Sequence, residues 1–294
     1  MGLGDFFKNI FGKKTCAFCG GECGMMSRTK IKGDEYICSK CDDMCSNFIR
    51  KSRFTKPELE GHMEYMKRSD RIYKEVILPN VQKHECYPSA TSRQGIEFFD
   101  DFGMFRIIDG SKDNKEQYPK EVFRYDQVAS YEPYIEESEE TDENGKSKTV
   151  FGEGGIIIRL VGVLDDTTKM QKGLRAHPYI TEEIKVCFAT NDREKENYLK
   201  YAENAIHHFD YIFGVESKGL FSFGMSKQEK RDLKAAVAFT KTAFDAVKVA
   251  KNGGEITDEK KAEIMENMNA IDDAQTGGLA VYTRAADSAE AKIQ

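Results

Sequence analysis

Six of the chain's eight cysteines fall within residues 15–48, as two copies of the pattern CxxCxxxC: Cys16, Cys19 and Cys23, then Cys38, Cys41 and Cys45. Thiols at this spacing admit four chemistries: one tetrahedral metal with two bystanders, two bridged metals, an iron–sulfur cluster, or disulfides. No apolar run approaches the about 20 residues that a bilayer span needs. The opening MGLGDFFKNIFGKK has neither the continuous apolar core nor the small-residue cleavage site of a secretory signal. The expected setting is cytoplasmic and reducing, where clustered cysteines bind metal rather than pair as disulfides.

A CxxC turn brings two sulfurs and nearby backbone N–H groups onto one ion. Cys16-Ala17-Phe18-Cys19-Gly20 is one such turn and Cys38-Ser39-Lys40-Cys41 the other, with 18 residues between Cys19 and Cys38. That interval holds a hairpin with Lys32-Gly33-Asp34 at its turn and Tyr36-Ile37 leading back to the second knuckle. The spacing is that of a zinc ribbon: one structural Zn2+ on Cys16, Cys19, Cys38 and Cys41, with no ligand position left for water. Cys23 and Cys45 could bridge a second zinc or join an iron–sulfur cluster, but ferredoxin runs are tighter and carry a proline after the last cysteine, where this chain has Ser46. The alternative is that both are small buried apolar side chains, as free cysteines often are.

The elements that must position these thiols can be read around them. Residues 1–14 carry Leu3, Phe6, Phe7, Ile10 and Phe11 at the spacing of an amphipathic helix, with Lys8, Lys13 and Lys14 on or beside the opposite side. These five are candidate lipid contacts, or a lid on the protein itself. After the ribbon (15–48), a helix is expected over 55–78, with Thr55 as N-cap, Pro57 in the first turn and Glu58 closing a capping box. His62 lies beside its apolar face and reads as a satisfied, partly buried side chain rather than a fifth ligand.

Residues 90–214 are β-rich, with apolar or alternating runs at GIEFFDDFGMFRIID, EVFRYDQVASYEPYI, GGIIIRLVGVLDD and EIKVCFAT. The acidic EESEETDENGKSK reads as a solvated hairpin tip around Asn144-Gly145, and Gly152-Glu153-Gly154-Gly155 as a turn into a strand over 156–163. Cys86 reads as a linker cysteine and Cys187 as core. The region closes with a helix whose stripe is Leu199, Ala202, Ile206, Phe209 and Phe213, before Gly214. His207 and His208, being adjacent, point to different sides of it. A helical tail over 225–294 follows, expected to dock on the body or another chain through thin apolar stripes, its last stretch mobile.

The stretch from Thr15 through TCAFCGGECGMMSRTKIKGDEYICSKCDDMCSNFIRKSRFTKPELEGHMEYM resembles an uncharacterised bacterial (Firmicutes-type) domain-of-unknown-function family. Its members have a CxxCG knuckle, a short hairpin, a second CxxC and a helix after a basic linker. The resemblance covers residues 15 to about 66 and implies Cys16, Cys19, Cys38 and Cys41 as metal ligands. It also implies aliphatic residues where Cys23 and Cys45 stand, which favours packing for those two, and a following β domain similar to a pleckstrin-homology fold. The expected fold class is therefore α+β: a zinc ribbon, an antiparallel pleckstrin-homology-like domain closed by a helix, and a helical tail. The resemblance implies no activity.

Composition adds the partner classes. Net charge is −6, yet residues 1–56 carry eleven Lys and Arg against six Asp and Glu, leaving −11 on the remainder. A basic end on an acidic body suits an anionic partner. Arg28, Lys30 and Lys32 are candidate phosphate contacts on one face of the hairpin. No GxSxG, HExxH, kinase or phosphate-loop pattern occurs, so no enzyme is expected. The expected function is a non-catalytic binding or adaptor protein with an unidentified protein partner, peripheral to the inner membrane surface in one version. The alternatives are a nucleic-acid-binding ribbon and a homo-oligomer built through residues 226–251.

Overall fold

A computed structural model describes residues 12–88, 94–110, 113, 115–141, 145, 147–161, 173–180, 182–191, 193, 195–214, 258–275 and 278–293. The apolar N-terminal stripe and the 226–251 segment lie outside these residues, so the candidate lipid contacts Leu3, Phe6, Phe7, Ile10 and Phe11 carry no structural account.

The N-terminal module has two short antiparallel pairs. Strands β1 (Lys14–Thr15) and β2 (Glu22–Cys23) form one, and β3 (Arg28–Lys30) and β4 (Tyr36–Cys38) the other. A 3-10 turn, Met25–Ser27, joins the two pairs. The β3–β4 hairpin turns through Gly33 at φ 96° and Asp34 at φ 62°, where the sequence places it. The second knuckle is a single helical turn, α1 (Ser39–Asp42). Helix α2 (Lys56–Arg71) starts at the expected capping box, with the Thr55 N–H donating to Glu58 Oε2 at 2.7 Å, and runs on as a π-helical turn over Ile72–Ile77.

Two antiparallel sheets make the β body. The first has the order β5-β6-β7-β8, from His84–Pro88, Gln94–Phe99, Met104–Asp109 and Phe123–Arg124. The second has the order β11-β10-β9, from Ile184–Ala189, Ser147–Leu160 and Val128–Thr141. Helix α3 (Lys195–Phe213) closes both. Its Phe209 ring lies 5.0 Å from Phe98 of β6 and 4.8 Å from Tyr131 of β9, centroid to centroid. The described residues of the tail form two helices, α4 (Asp258–Gln275) and α5 (Leu279–Ala291).

Four sequence readings change here. The exposed hairpin is formed, but its acidic limb is strand rather than loop: β9 runs to Thr141 and pairs Glu139 with Thr149 and Glu140 with Lys148, a two-stranded arm beyond the reach of β11. Exposure on both faces removes the alternation that would announce a strand. Gly152 to Gly155 lie within β10, flanked by register shifts at Phe151/Glu153 and Gly154/Gly155, and are no turn. The physical reason is close approach, since a Cβ on Gly155 would stand 1.9 Å from the Val186 carbonyl oxygen. Cys86 belongs to edge strand β5 rather than to a linker.

The last stretch of the tail is docked rather than mobile. Leu279, Ala286 and Ala289 of α5, with Ile293 beyond it, are buried. Ala286, Ala289 and Ile293 pack against Ile72, Val76, Phe99, Phe102, Met104 and Val122. Alanines and Gly103 let backbone meet backbone, a Gly103 Cβ falling 2.0 Å from the Tyr282 carbonyl oxygen. Buried Arg124 ties the helix down through Asp287 at 2.9 Å and Glu290 at 3.2 Å.

Candidate metal centre

The first knuckle is shaped by its own backbone. The Cys16 N–H donates to the Gly21 carbonyl at 2.8 Å and the Gly20 N–H to the Cys16 carbonyl at 3.0 Å, with Gly20 at φ 72°. The Ala17 N–H donates to the Tyr36 carbonyl at 2.8 Å, which seats this knuckle against β4 two residues before Cys38. In the second knuckle Cys38 precedes the helical turn that carries Cys41, and the Cys38 N–H points at Cys16 Sγ at 3.4 Å.

The result is convergence. The Sγ atoms of Cys16, Cys19, Cys38 and Cys41 all lie within 4.8 Å of one another. Zinc–sulfur bonds of about 2.3 Å in a tetrahedron put sulfurs about 3.8 Å apart, and Cys19 Sγ to Cys38 Sγ is 3.7 Å. The donor set therefore fits a tetrahedral thiolate-bound dication. Among the described residues no other group of three or more metal-ligating side chains converges in this way. All eight cysteines are free thiols.

The electrostatics point the same way. Burial alone would raise the Cys16 thiol, but N–H groups of Cys19, Cys38 and Phe18 bring it down to about 6. Burial and the neighbouring sulfurs push Cys41 well up, and burial raises Cys38. One thiolate is thus favoured by the protein alone, while Cys38 and Cys41 are held protonated. A bound dication would supply the positive charge that lets all four ionise.

Cys23 and Cys45 stand outside the quartet. Cys23 is buried, with its thiol directed at the Lys14 carbonyl at 3.3 Å, and burial raises its pKa. Cys45 is fully buried in a hydrophobic cluster with Ile31, Ile37 and Ile49 of the ribbon and Phe98, Phe105 and Phe123 of the β body. Of the candidate phosphate contacts, Arg28 donates to the Gly12 carbonyl and lies over the Tyr36 ring, while Lys30 is paired with Asp34 at 2.6 Å. Strand β3 ends at Lys30, so Lys32 is not in its alternation; its N–H donates to the Phe54 carbonyl at 2.9 Å.

That hydrophobic cluster shows how the metal module is mounted, and polar contacts beneath it complete the mount. The Ser46 N–H donates to His62 Nε2 at 3.0 Å and the Ser46 hydroxyl donates to Glu121. His62 is wholly buried, and its Nε2 faces Ser46 rather than the cysteines. Beside it, His177 accepts the N–H groups of Tyr179 and Ile180 on Nδ1, at 3.2 and 2.9 Å, so its proton sits on Nε2, 2.9 Å from the Tyr65 hydroxyl. Burial, and then His62, lower the His177 pKa to about 3, so this imidazole is neutral. The contacts of Ser46 with His62 and Glu121, and of Tyr65 with His177, escape the sequence reading because they span 16 to 112 residues and form no local pattern. The partners of His208 were likewise invisible: it stacks on Phe98 and lies between Asp100, at 2.9 Å, and Glu85, at 3.3 Å.

Comparison with known proteins supports this part of the chain alone. Residues 15–62 match a family model described as a domain of unknown function (DUF4428). The matched stretch is the two knuckles, their hairpin and the first turns of α2. No curated protein and no solved structure matches the chain. No described helix is long and apolar enough to cross a membrane.

Proposed function

We propose that this chain is a non-catalytic adaptor, a binding protein whose N-terminal zinc ribbon is fixed to a pleckstrin-homology-like body by one structural Zn2+. Cys16, Cys19, Cys38 and Cys41 hold the ion. Four thiolates complete its coordination, so no position is open for water or substrate, and the ion's work is to fold the knuckles. The observation that carries the reading is the shared core: Cys45, four residues beyond ligand Cys41, is buried in one cluster with Phe98 and Phe105 of the sheet. A metal so mounted sets the shape of a binding face rather than turning over a substrate. The pleckstrin-like assignment is supported by the seven antiparallel strands in two sheets, closed by an amphipathic helix, found among the described residues of the body. The setting proposed for the protein is the cytoplasm, at the inner membrane surface when bound.

The nucleic-acid alternative has weaker support, since Lys30 is already neutralised by Asp34. The test is recovery of tagged full-length protein from its host. Wild type should carry one zinc per chain and fractionate with a defined protein or with membranes, and Cys38→Ser should lose both. Metal-dependent turnover of a substrate, or a wild-type chain found alone in every fraction, would overturn the proposal.

A further inference from the structure

Resting on the adaptor reading, we propose that the 3-10 turn Met25–Ser27, with Lys14 and Arg28 beside it, is the surface that contacts an anionic lipid bilayer. Met26 is 95% exposed and Met25 45% exposed. Among the described residues Met26 is the most exposed large hydrophobic side chain. Both methionines sit in the 3-10 turn, and neither belongs to the buried hydrophobic clusters of the described residues. Flexible thioether chains of this kind enter an irregular acyl boundary at little conformational cost.

The cations around the turn are ordered by the metal module itself. Lys14 lies two residues before ligand Cys16 and pairs in register with Cys23. Arg28 is the cross-strand partner of ligand Cys38. Both reach the same ring, with Lys14 Nζ 5.8 Å and the Arg28 guanidinium 4.9 Å from the Tyr36 centroid. Ligation of Cys16 and Cys38 to one ion would therefore fix the spacing of the two charges that meet at this amphipathic tyrosine. That grouping suits a headgroup layer, where tyrosine and basic side chains sit above an inserted apolar tip.

Charge complementarity sets the direction of approach. Residues 1–56 carry an excess of five positive charges and the rest of the chain carries −11. A negative leaflet attracts this end and repels the body. Nucleic acid is the less suitable anion, because single strands are held on planar stacking platforms and the groups exposed here are methionines.

The experiment is co-sedimentation of the full chain with phosphatidylcholine vesicles, with and without phosphatidylglycerol. Wild type should sediment with the anionic vesicles and be released by salt. The double variant Met25→Ser, Met26→Ser should bind at least about tenfold more weakly, and Lys14→Gln about fivefold more weakly at low salt. Both variants should keep the wild-type metal content and melting temperature, which separates lost contact from lost fold. Wild type remaining in the supernatant, or the double methionine variant partitioning like wild type, would overturn the assignment. So would tight retention of an oligonucleotide that depends on Lys14 and ignores the methionines. None of these results decides the adaptor reading, which falls on host fractionation or on metal-dependent turnover.

Discussion

Replacing Gly155 by alanine should cost about 3–5 kcal/mol, although the new methyl group is apolar and the site is interior. The added Cβ would stand 1.9 Å from the Val186 carbonyl oxygen and 2.9 Å from Cys187 Cα, whereas ordinary contact begins at 3.4 Å. Strands β10 and β11 would have to part by about 1.5 Å, the difference between those two distances. That exceeds what an N–H···O bond tolerates, so the ladder bonds around the Ile156–Val186 pair would be lost, the Cys187 N–H being donated to Gln94 instead. Two such bonds contribute about 0.5–1.5 kcal/mol each, and the overpacking adds about 1–3 kcal/mol. Thermal denaturation should register a fall of roughly 10 °C, with the metal content unchanged. Gly145→Ala is the control: its φ is 77° but nothing lies within 4 Å, so the cost should be about 1 kcal/mol. If Gly155→Ala melts with wild type, the strand assignment of the glycine run is wrong.

Three further outcomes are expected. Cys45→Ala should keep one metal per chain by elemental analysis and lose about 1–2 kcal/mol in urea unfolding, since it deletes one buried atom from a filled core; loss of metal would make Cys45 a ligand. Arg124→Met should cost about 3–5 kcal/mol, because it leaves Asp126, whose side chain is 0% exposed, without the guanidinium 2.7 Å away; limited proteolysis should then release α5. Acid stability should depend on His177. The unfolded chain takes up a proton near 6.5 and the folded one only near 3. Between those values the unfolded state binds more protons, and stability falls as pH falls, by about 1.4 kcal/mol per unit. The difference in stability between wild type and His177→Gln should carry that slope, and a difference independent of pH would refute it.

What was legible in the sequence was whatever local spacing controls. The CxxC knuckles, the Gly33-Asp34 turn, the Thr55–Glu58 capping box and the Phe209–Phe213 stripe each depend on neighbours within one or two turns of chain. The exposed arm of β9 was illegible because a strand wet on both faces has no alternation, and glutamates read as loop. Gly155 misled for a related reason: its glycine answers to Val186 on another strand, not to a turn in its own. The same holds for α5, whose alanines look too small to anchor a helix until Gly103 and Arg124 are set beneath them. The mount of the metal module was hidden for the same physical reason, since Ser46 meets Glu121 from 75 residues away.

The claim that the metal cage and the β body share one core is tested most directly by amide hydrogen exchange on the full chain, with zinc bound and after chelation. The shared cluster predicts that chelation deprotects β6 and β7, around Phe98 and Phe105, together with β3, β4 and the start of α2. Loss of protection confined to residues 14–45, with β6 and β7 exchanging as slowly as before, would contradict it.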